Sequence, residues 1–305
     1  MYSAIAQNKR RTVFVIAIFI AICLGLAYWA WSLTHLMWIP TFFMVFIVTY
    51  TCIQYFLAGR IAMRLAGGVE VKSKADNPKL WKIVENLAIS QGMPMPRIFI
   101  IEDDSMNAFA TGRDPKHAMV AATRGLMTTL EKYELEGVMA HEIAHVKNYD
   151  IRVKTIIFGL VGAISALAQF FYYFAIGSFN GTRYSRRDDS SAAVAQLIGA
   201  LALIVAAVLA IVAFVIGPIV TAAVSRQREY LADATGALIT RHPEGLIAAL
   251  IKLETSFAPT SGRSKGNALM YFNNPLRRFF WSQLTSSHPP TEKRVERLQN
   301  MATAF

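Results

Sequence analysis

The sequence of 305 residues is unusually apolar: 54% of the residues are hydrophobic, 17% are charged, and the mean hydropathy is +0.36. Such a chain is too apolar for an ordinary soluble domain. Its net charge of +11 does not indicate a nucleic-acid-binding protein, because the basic residues are scattered and many flank apolar stretches, where anionic lipid accounts for them. Cys23 and Cys52 both lie inside apolar stretches, so the sequence indicates neither a disulfide framework nor a cysteine zinc site.

The apolar residues are concentrated in four uncharged stretches, each longer than the roughly 18 residues that suggest a bilayer-spanning helix. We predict membrane spans at residues 12–33, 37–59, 155–177 and 193–225. The alternative is a soluble protein with four long core helices that are apolar on every face. The first stretch is longer than the apolar region of a secretory signal, about 7–15 residues, and is predicted to remain as an anchor.

Basic residues beside the first two spans predict which side of the membrane each segment faces. Residues 9–11 read Lys-Arg-Arg ahead of the first span, and Arg60 and Arg64 follow the second. By the positive-inside tendency, the N-terminus and the polar segments face the cytoplasm. The predicted external loop at 178–192 argues against this orientation, because it contains three arginines that two aspartates only partly offset.

The two remaining polar segments are predicted to form one split globular domain. They hold about 175 residues together, which is enough for a hydrophobic core. Two spans separate them, so the chain returns to the side it left. The predicted organisation is a transmembrane hairpin at 1–59, a first domain half at 60–154, a second hairpin at 155–225 and a second half at 226–305.

Periodicity within the polar segments predicts an α+β domain with a small sheet. A helical repeat of apolar residues runs from Leu80 to Ala88 and is stopped by Gly92 and Pro94. Short strands are predicted at 97–101, 107–111 and 117–122, with a turn around 112–115. Further helices are predicted at 131–149, 226–240, 244–256 and 291–301. Residues 258–268, which are rich in small and polar residues, are predicted to form a flexible loop that could cover a cleft.

The candidate active site lies in the sequence GVMAHEIAHVKN at 137–148. Its i,i+4 spacing puts His141 and His145 one turn apart on one helix face, where both imidazoles can reach one zinc ion. Glu142, beside the first histidine, could take a proton from the attacking water and deliver it to the leaving amine. The alternative is a helix that carries two histidines by coincidence, because this pattern alone is weak. A third ligand decides between them.

The third ligand does not follow the metzincin pattern, because the residue ten positions after His141 is Ile151. The other histidines and carboxylates are candidates, and the segment SRQREYLADATG at 225–236 stands out because it places Glu229 and Asp233 four residues apart on a predicted helix. We select Glu229, since it and His145 both lie near the membrane ends of predicted spans. Topology then brings the two residues together.

One zinc ion held by His141, His145 and Glu229 keeps a fourth position for water, as hydrolytic zinc sites require. Structural zinc sites are instead usually closed by four protein ligands. Asp233 would suit an acceptor for the outer N–H of a ligating imidazole, fixing its tautomer. The alternative for Asp233 is an aspartate on the helix surface.

Four motifs, in this order and around this span pattern, resemble the HtpX-type membrane zinc metalloproteases. They are NAFATG at 107–112, LEGVMAHEIAH at 135–145, SRQREYLAD at 225–233 and SSHPPTEKRVERL at 286–298. The resemblance covers nearly the whole chain and extends more distantly to the prenyl-protein processing endopeptidases. It implies an integral-membrane endopeptidase with a cytoplasmic zincin-like domain that cleaves misfolded membrane proteins in bacterial quality control. His141, His145 and Glu229 fall on the ligand positions of the family, and Glu142 falls on its catalytic position.

Two further assignments follow the resemblance. The segment NAFAT resembles the substrate-facing edge strand of the family, to which an extended peptide adds as a further strand; an ordinary hairpin strand is the alternative. The candidate residues of this strand are Asn107, Ala108, Phe109 and Ala110. His288 and Arg294 are candidates for hydrogen bonds to the oxyanion of the reaction, and the alternative for His288 is a cap or turn residue.

A membrane adaptor or transporter with a regulatory or structural zinc site is the competing interpretation. Transport usually shows charged or broken helices inside the membrane, whereas these stretches are uncharged, although Gly217-Pro218 could kink the fourth. Processing of lipidated proteins differs from quality control only in its substrate. We expect an inner or plasma membrane protein whose partners are the lipid bilayer and unfolded or membrane proteins, without nucleic acid. The sequence does not indicate its oligomeric state.

Overall fold

The computed structural model describes residues 2–35, 37–184, 189–211, 217–255 and 289–302. The chain divides into two compact units, one formed by residues 1–158 together with 221–305 and the other by residues 159–220. Two sequence predictions, the flexible loop at 258–268 and the oxyanion role of His288, fall outside the described residues.

The chain begins with two long helices, α1 (Tyr2–Thr34) and α2 (Trp38–Leu65). Strand β1 (Gly68–Val71), helix α3 (Pro78–Ser90), and strands β2 (Arg97–Ile101), β3 (Ala108–Thr111) and β4 (Met119–Thr123) follow. Among the described residues, the strands form one four-stranded sheet in the order β1-β2-β4-β3. The central pair β2–β4 is parallel, and the two outer pairs are antiparallel.

The sheet confirms the expected small α+β element, with one addition. Strand β2 coincides with its predicted range, and β3 and β4 lie on theirs with ends shifted by one or two residues. A 3-10 turn at Pro115–His117 joins β3 to β4. Strand β1 was not predicted. It has four residues, and only Val71 is buried while Val69 is largely exposed, so it offers no apolar pattern long enough to detect.

Both faces of the sheet are covered by other elements. Val120 faces the main core, which it shares with residues of α3 and α5, whereas Met119 and Phe109 point to the other face. There they pack against Ala62 and Met63 in the last turns of α2. Strands β3 and β4 are therefore buried at every position and do not alternate between apolar and polar residues.

Helix α4 (Arg124–Thr129) leads into helix α5 (Lys132–Lys147), which is buried along most of its length and carries the HExxH sequence. At its start the backbone N–H of Glu131 donates to the Glu134 carboxylate at 2.8 Å, as in a capping box. At its end Tyr149 has a φ of 60°, in the left-handed region that terminates helices. The chain therefore changes direction immediately after the histidines.

Helices α6 (Asp150–Tyr184), α7 (Asp189–Ile211) and α8 (Gly217–Thr240) follow this turn. Helix α6 begins before residue 155, where we predicted the third span to start, and continues past residue 177 into the predicted loop. Its first turns contain charged residues that a hydropathy pattern excludes from a span, but Asp150 and Lys154 are buried beside charged partners. The predicted span at 193–225 lies on α7 and α8, with residues 212–216 outside the described part of the chain.

Several helices are long and apolar enough to cross a membrane. Within the described residues these are Met44–Leu65, Asp150–Asn180 and Ala192–Ile211, and α1 contains a shorter apolar segment at Ile16–Gly25. The expectation of a mostly helical protein with several apolar helices is thus confirmed, whereas the number of four spans stays a prediction.

The chain after the second unit returns to α5 through helices α9 (Pro243–Thr255) and α10 (Thr291–Ala302). Helices α5 and α9 approach each other closely at two glycines. A Cβ on Gly137 would lie 2.7 Å from the backbone nitrogen of Leu246, and a Cβ on Gly245 would lie 2.5 Å from the carbonyl oxygen of Tyr133. The two helices therefore pack backbone against backbone at this point.

We expect the substitution Gly137→Ala to lower the free energy of unfolding by about 2 kcal/mol, because the added methyl group meets backbone atoms that cannot rotate away. Chemical denaturation of the detergent-solubilised protein measures this loss. Gly177→Ala is the matched control, since a Cβ there has no atom within 4 Å. Equal stability of the two variants would contradict the close packing of α5 and α9.

Candidate metal centre

The two histidines of the HExxH sequence project from successive turns of α5. The centroids of the His141 and His145 rings are 4.7 Å apart and the ring planes are nearly perpendicular, at 87°. Both side chains are buried, with relative exposures of 0% and 1%. The helical spacing thus brings both imidazoles to one place in the interior of the first unit.

The carboxylate of Glu229, on α8, lies between these two rings. Its Oε2 is 3.4 Å from His141 Nε2, and its Oε1 is 3.3 Å from His145 Nε2. The three side chains offer one ligand atom each, all within 4.8 Å of one another, and all three are buried. The structure therefore brings together the three residues that we predicted as metal ligands.

The spacing and chemistry of this group fit a zinc ion. Two ligands bound at about 2.1 Å in a tetrahedral arrangement lie about 3.4 Å apart, and both nitrogen–oxygen separations measured here are close to that value. Two imidazole nitrogens and a carboxylate oxygen are also the ligands of a known class of hydrolytic zinc sites.

The outer nitrogen of each imidazole is bound by an aspartate. Nδ1 of His141 is 2.8 Å from Oδ1 of Asp233, the residue that we predicted for this contact. Nδ1 of His145 is 3.0 Å from Oδ2 of Asp150, which the sequence did not single out. A carboxylate at Nδ1 favours a proton on that nitrogen, so it leaves the Nε2 lone pair of each ring for a metal.

An arginine holds each of these aspartates in turn. Arg294, on α10, donates from Nε and Nη2 to the two oxygens of Asp233 at 2.8 and 2.6 Å. Arg228, on α8, contacts Oδ1 of Asp150 at 3.5 Å. The bidentate geometry of the first pair fixes the Asp233 carboxylate in both position and orientation.

The charges of this network shift the pKa values of its members. Burial and the Lys154 ammonium lower the pKa of His145, but the Glu229 and Asp150 carboxylates outweigh them and raise that pKa to about 9. Burial raises the pKa of Asp233, but the Arg294 guanidinium and the hydrogen bond from His141 hold it well below its ordinary value. Asp233 is therefore a carboxylate at neutral pH.

A glycine allows α8 to reach the histidines. A Cβ on Gly236 would lie 3.1 Å from the backbone nitrogen of His141, which is closer than most side chains come to a neighbouring backbone. Because Gly236 follows Glu229 and Asp233 by about two turns and one turn of helix, its close approach positions both carboxylates over α5.

Glu142 lies beside His141 on α5 and is buried, with a relative exposure of 4%. Among the described residues, none donates a hydrogen bond to its carboxylate. Its negative charge raises the pKa of Arg294, although burial and the carboxylates of Asp233 and Glu229 have larger effects on that pKa. The carboxylate can thus accept a proton from a molecule that enters the site.

The other predicted site residues that the structure describes lie on or directly before the edge strand β3 and on α10. Within the described sheet β3 is an edge strand that pairs only with β4, and its residues Ala108, Phe109 and Ala110 are buried. Asn107 precedes the strand, and its backbone carbonyl accepts from Thr123 N at 2.9 Å. Arg294 donates from Nε and Nη2 to Asp233, as described above, and its Nη2 also lies 3.5 Å from Nδ1 of His141.

Three charged residues of the centre escaped the sequence analysis: Asp150, Lys154 and Arg228. The Lys154 ammonium is 3.1 Å from Oε1 of Glu229. Their partners lie on other elements, so no local spacing marks them. The one available signal is the presence of buried charges at the end of an apolar stretch, where ionisable residues usually have a function.

Comparisons with known proteins agree with this geometry. Residues 74–302 match peptidase family M48. The chain is 44% identical over 305 residues to a protein named Protease HtpX homolog from Tropheryma whipplei (strain Twist), with 100% of both chains covered. It is 40% identical over 313 residues to a protein of the same name from Limosilactobacillus reuteri (strain DSM 20016), with 99% of this chain and 100% of that one covered. A crystal structure of S. mikatae Ste24p has the same fold with a TM-score of 0.51 at 19% identity, over 98% of this chain and 66% of that chain.

We expect Asp150→Asn and Asp233→Asn each to weaken zinc binding about 10- to 100-fold, because each removes the charged acceptor that orients a ligating imidazole. Competition with a zinc-binding fluorescent indicator measures the affinity. Asp114→Asn is the matched control, since Asp114 accepts from the exposed His117 at 2.7 Å, away from the centre. Unchanged affinity in both test variants would contradict the orienting role.

We expect the apparent zinc affinity to rise about tenfold for each pH unit between pH 6 and pH 8. Zinc binds the neutral imidazole, and the raised pKa of His145, about 9, means that one proton must leave when the metal enters throughout this range. The same indicator assay, corrected for the titration of the indicator itself, measures the slope. A flat profile below pH 8 would show that His145 does not hold this proton.

Proposed function

The chain belongs to peptidase family M48, and we propose that it is a zinc-dependent membrane endopeptidase that hydrolyses peptide bonds of misfolded or damaged membrane proteins. Its relatives, at 38–44% identity over almost their full length, make it a membrane metalloprotease. The identity of the ion, the roles of the residues and the class of substrate are our proposals.

One observation carries the assignment of the site. His141, His145 and Glu229 converge on one point from two helices, and the outer nitrogen of each histidine is bound by a buried carboxylate. Structural zinc sites are usually closed by four protein ligands, whereas this group offers three, the number found in hydrolytic sites. Among the described residues no fourth histidine, cysteine or carboxylate joins the group.

Each residue of the centre has a distinct role in the proposed reaction. His141, His145 and Glu229 would hold a zinc ion, which would supply a Lewis acid to polarise water and the scissile carbonyl. The Glu142 carboxylate takes a proton from the attacking water and gives it to the leaving amine nitrogen. Asp233 and Asp150 hold the two imidazoles in the tautomer that presents Nε2, and Arg294 fixes Asp233.

The contacts of Arg294 favour this positioning role over the predicted hydrogen bond to an oxyanion. Its guanidinium donates to both oxygens of Asp233, and the residue is 3% exposed. An oxyanion donor must point its hydrogen at the reacting carbonyl. The oxyanion role of His288 stays a prediction.

The edge strand β3 is our proposed binding site for the substrate backbone, through Asn107, Ala108, Phe109 and Ala110. An extended peptide can pair with the outer edge of an edge strand. A segment that is held in the fold of a substrate protein cannot pair in this way. Strand β3 packs against α5 in a shared core, and this proximity to the helix that carries the histidines supports the proposal. A site of this kind selects unfolded segments, which supports misfolded proteins as the substrates.

We further propose four membrane spans and a cytoplasmic catalytic domain. The long apolar helices and the basic residues at 9–11 and after the second span support this topology. The domain halves at 60–154 and 226–305 are then joined through the hairpin at 155–225.

We expect Glu142→Gln to lower the rate of casein cleavage at least 100-fold while the purified protein keeps one zinc ion per chain, because only the proton acceptor is lost. Glu229→Ala should lose both zinc and activity, since it removes a ligand. Peptide cleavage and metal analysis of the same preparations measure the two effects.

Glu136→Gln, on the same helix as Glu142 but partly exposed, is the matched control and should cleave casein like the wild type. Equal activity of Glu142→Gln and the wild type would rule out the proposed reaction. A prenylated peptide assayed beside an unfolded membrane protein distinguishes quality control from the processing of lipidated proteins.

A further inference from the structure

Lys154 places an ammonium group against the atoms that would hold the zinc ion. Its Nζ is 3.1 Å from Oε1 of Glu229 and 3.4 Å from Nε2 of His145. These two atoms also face each other across the proposed metal position, at 3.3 Å. The Lys154 side chain is 7% exposed, so solvent does not screen these contacts to any large extent.

The partners of Lys154 differ from those of other lysines in the same unit. Lys147 donates to the amide oxygen of Gln91 at 2.7 Å, and Lys252 donates to Glu134 at 2.7 Å. Both of these contacts lie outside the ligand group. A buried ammonium is unfavourable unless charged or polar groups compensate it, and for Lys154 the compensating groups are the proposed ligands themselves.

The charges of the cluster show what a divalent ion would change. Among the described residues, the carboxylates are those of Glu142, Asp150, Glu229 and Asp233, and the cationic side chains are those of Lys154, Arg228 and Arg294. With both histidines neutral, as they are when they bind a metal ion, the cluster therefore has one more negative than positive charge. A divalent cation turns that into an excess of one positive charge, and departure of the Lys154 ammonium restores neutrality.

We propose that Lys154 is the internal cation of the metal-free centre, which occupies the ligand group before zinc binds and leaves it when zinc enters. The inference rests on the zinc site of the proposed function. Lys154 keeps Glu229 and His145 paired and buried in the metal-free chain, so the ligand group stays assembled without the ion. It also competes with zinc, because the ammonium and the metal attract the same oxygen of the Glu229 carboxylate.

The test is the zinc affinity of Lys154→Met, which keeps the length of the side chain and removes its charge. We expect the full-length variant, purified in detergent and stripped with a chelator, to bind zinc about 10- to 100-fold more tightly than the wild type in the indicator assay. The metal-free variant should melt at a lower temperature than the metal-free wild type, and the difference should disappear when both are saturated with zinc.

Two further variants and one further measurement complete the experiment. Lys147→Met removes a lysine that contacts none of the ligands, and Lys154→Arg retains the positive charge, so neither should bind zinc more tightly than the wild type. If metal-free Lys154→Met does not stay folded, the rate of zinc release from the loaded variant replaces the affinity, and it should be slower than the wild-type rate.

Equal or weaker zinc binding, or equal or faster release, by Lys154→Met would overturn the inference and assign Lys154 to the support of the loaded site. A wild-type protein that binds no zinc would instead refute the proposed function, and the inference with it. Because the readout is zinc binding, it does not depend on peptide cleavage.

Discussion

The structure depends on keeping a group of charged side chains buried together. Glu229 and His141 are fully buried, and an isolated carboxylate in such surroundings would be strongly destabilising. Here three of the four carboxylates have a counterpart: the aspartates contact arginines, and Glu229 contacts Lys154 and the two imidazoles. The cluster is therefore stable only as a set. Removing one partner leaves another charge buried without compensation, which is far more unfavourable than losing the contact itself.

The residues of the centre that lie on one helix could be predicted from the sequence. The contacts that join different helices could be predicted only in part. The spacing of His141 and His145 fixes their relation through helical geometry alone. Glu229 could be selected because it, like His145, lies near the membrane end of a predicted span. Asp150 and Lys154 could not, because their role depends on how α6 leaves α5 after the left-handed turn at Tyr149, and no periodic pattern encodes that angle.

The same distinction holds for the fold. Strands β2, β3 and β4 were predictable as short apolar runs, but the sheet order and the covering of its second face by the end of α2 were not. Ala62 and Met63 of α2 pack there against Phe109, Met119 and Ala121 of the sheet, and contacts between segments so far apart in the sequence leave no local pattern. The exact ends of the helices also escaped prediction, because paired charges such as those of Asp150 extend a helix beyond its apolar segment.

The contact between Asp150 and Arg228 spans a sequence separation of 78 residues and ties the chain where it leaves the first unit to where it returns. The contact thus closes the segment between these two residues into a loop. Loop-closure entropy grows only logarithmically with length, so that doubling such a segment costs about 0.6 kcal/mol. A change of length in the connections between α6, α7 and α8 therefore alters the closure entropy only slightly, while the contact between Asp150 and Arg228 keeps the two ends of the segment together.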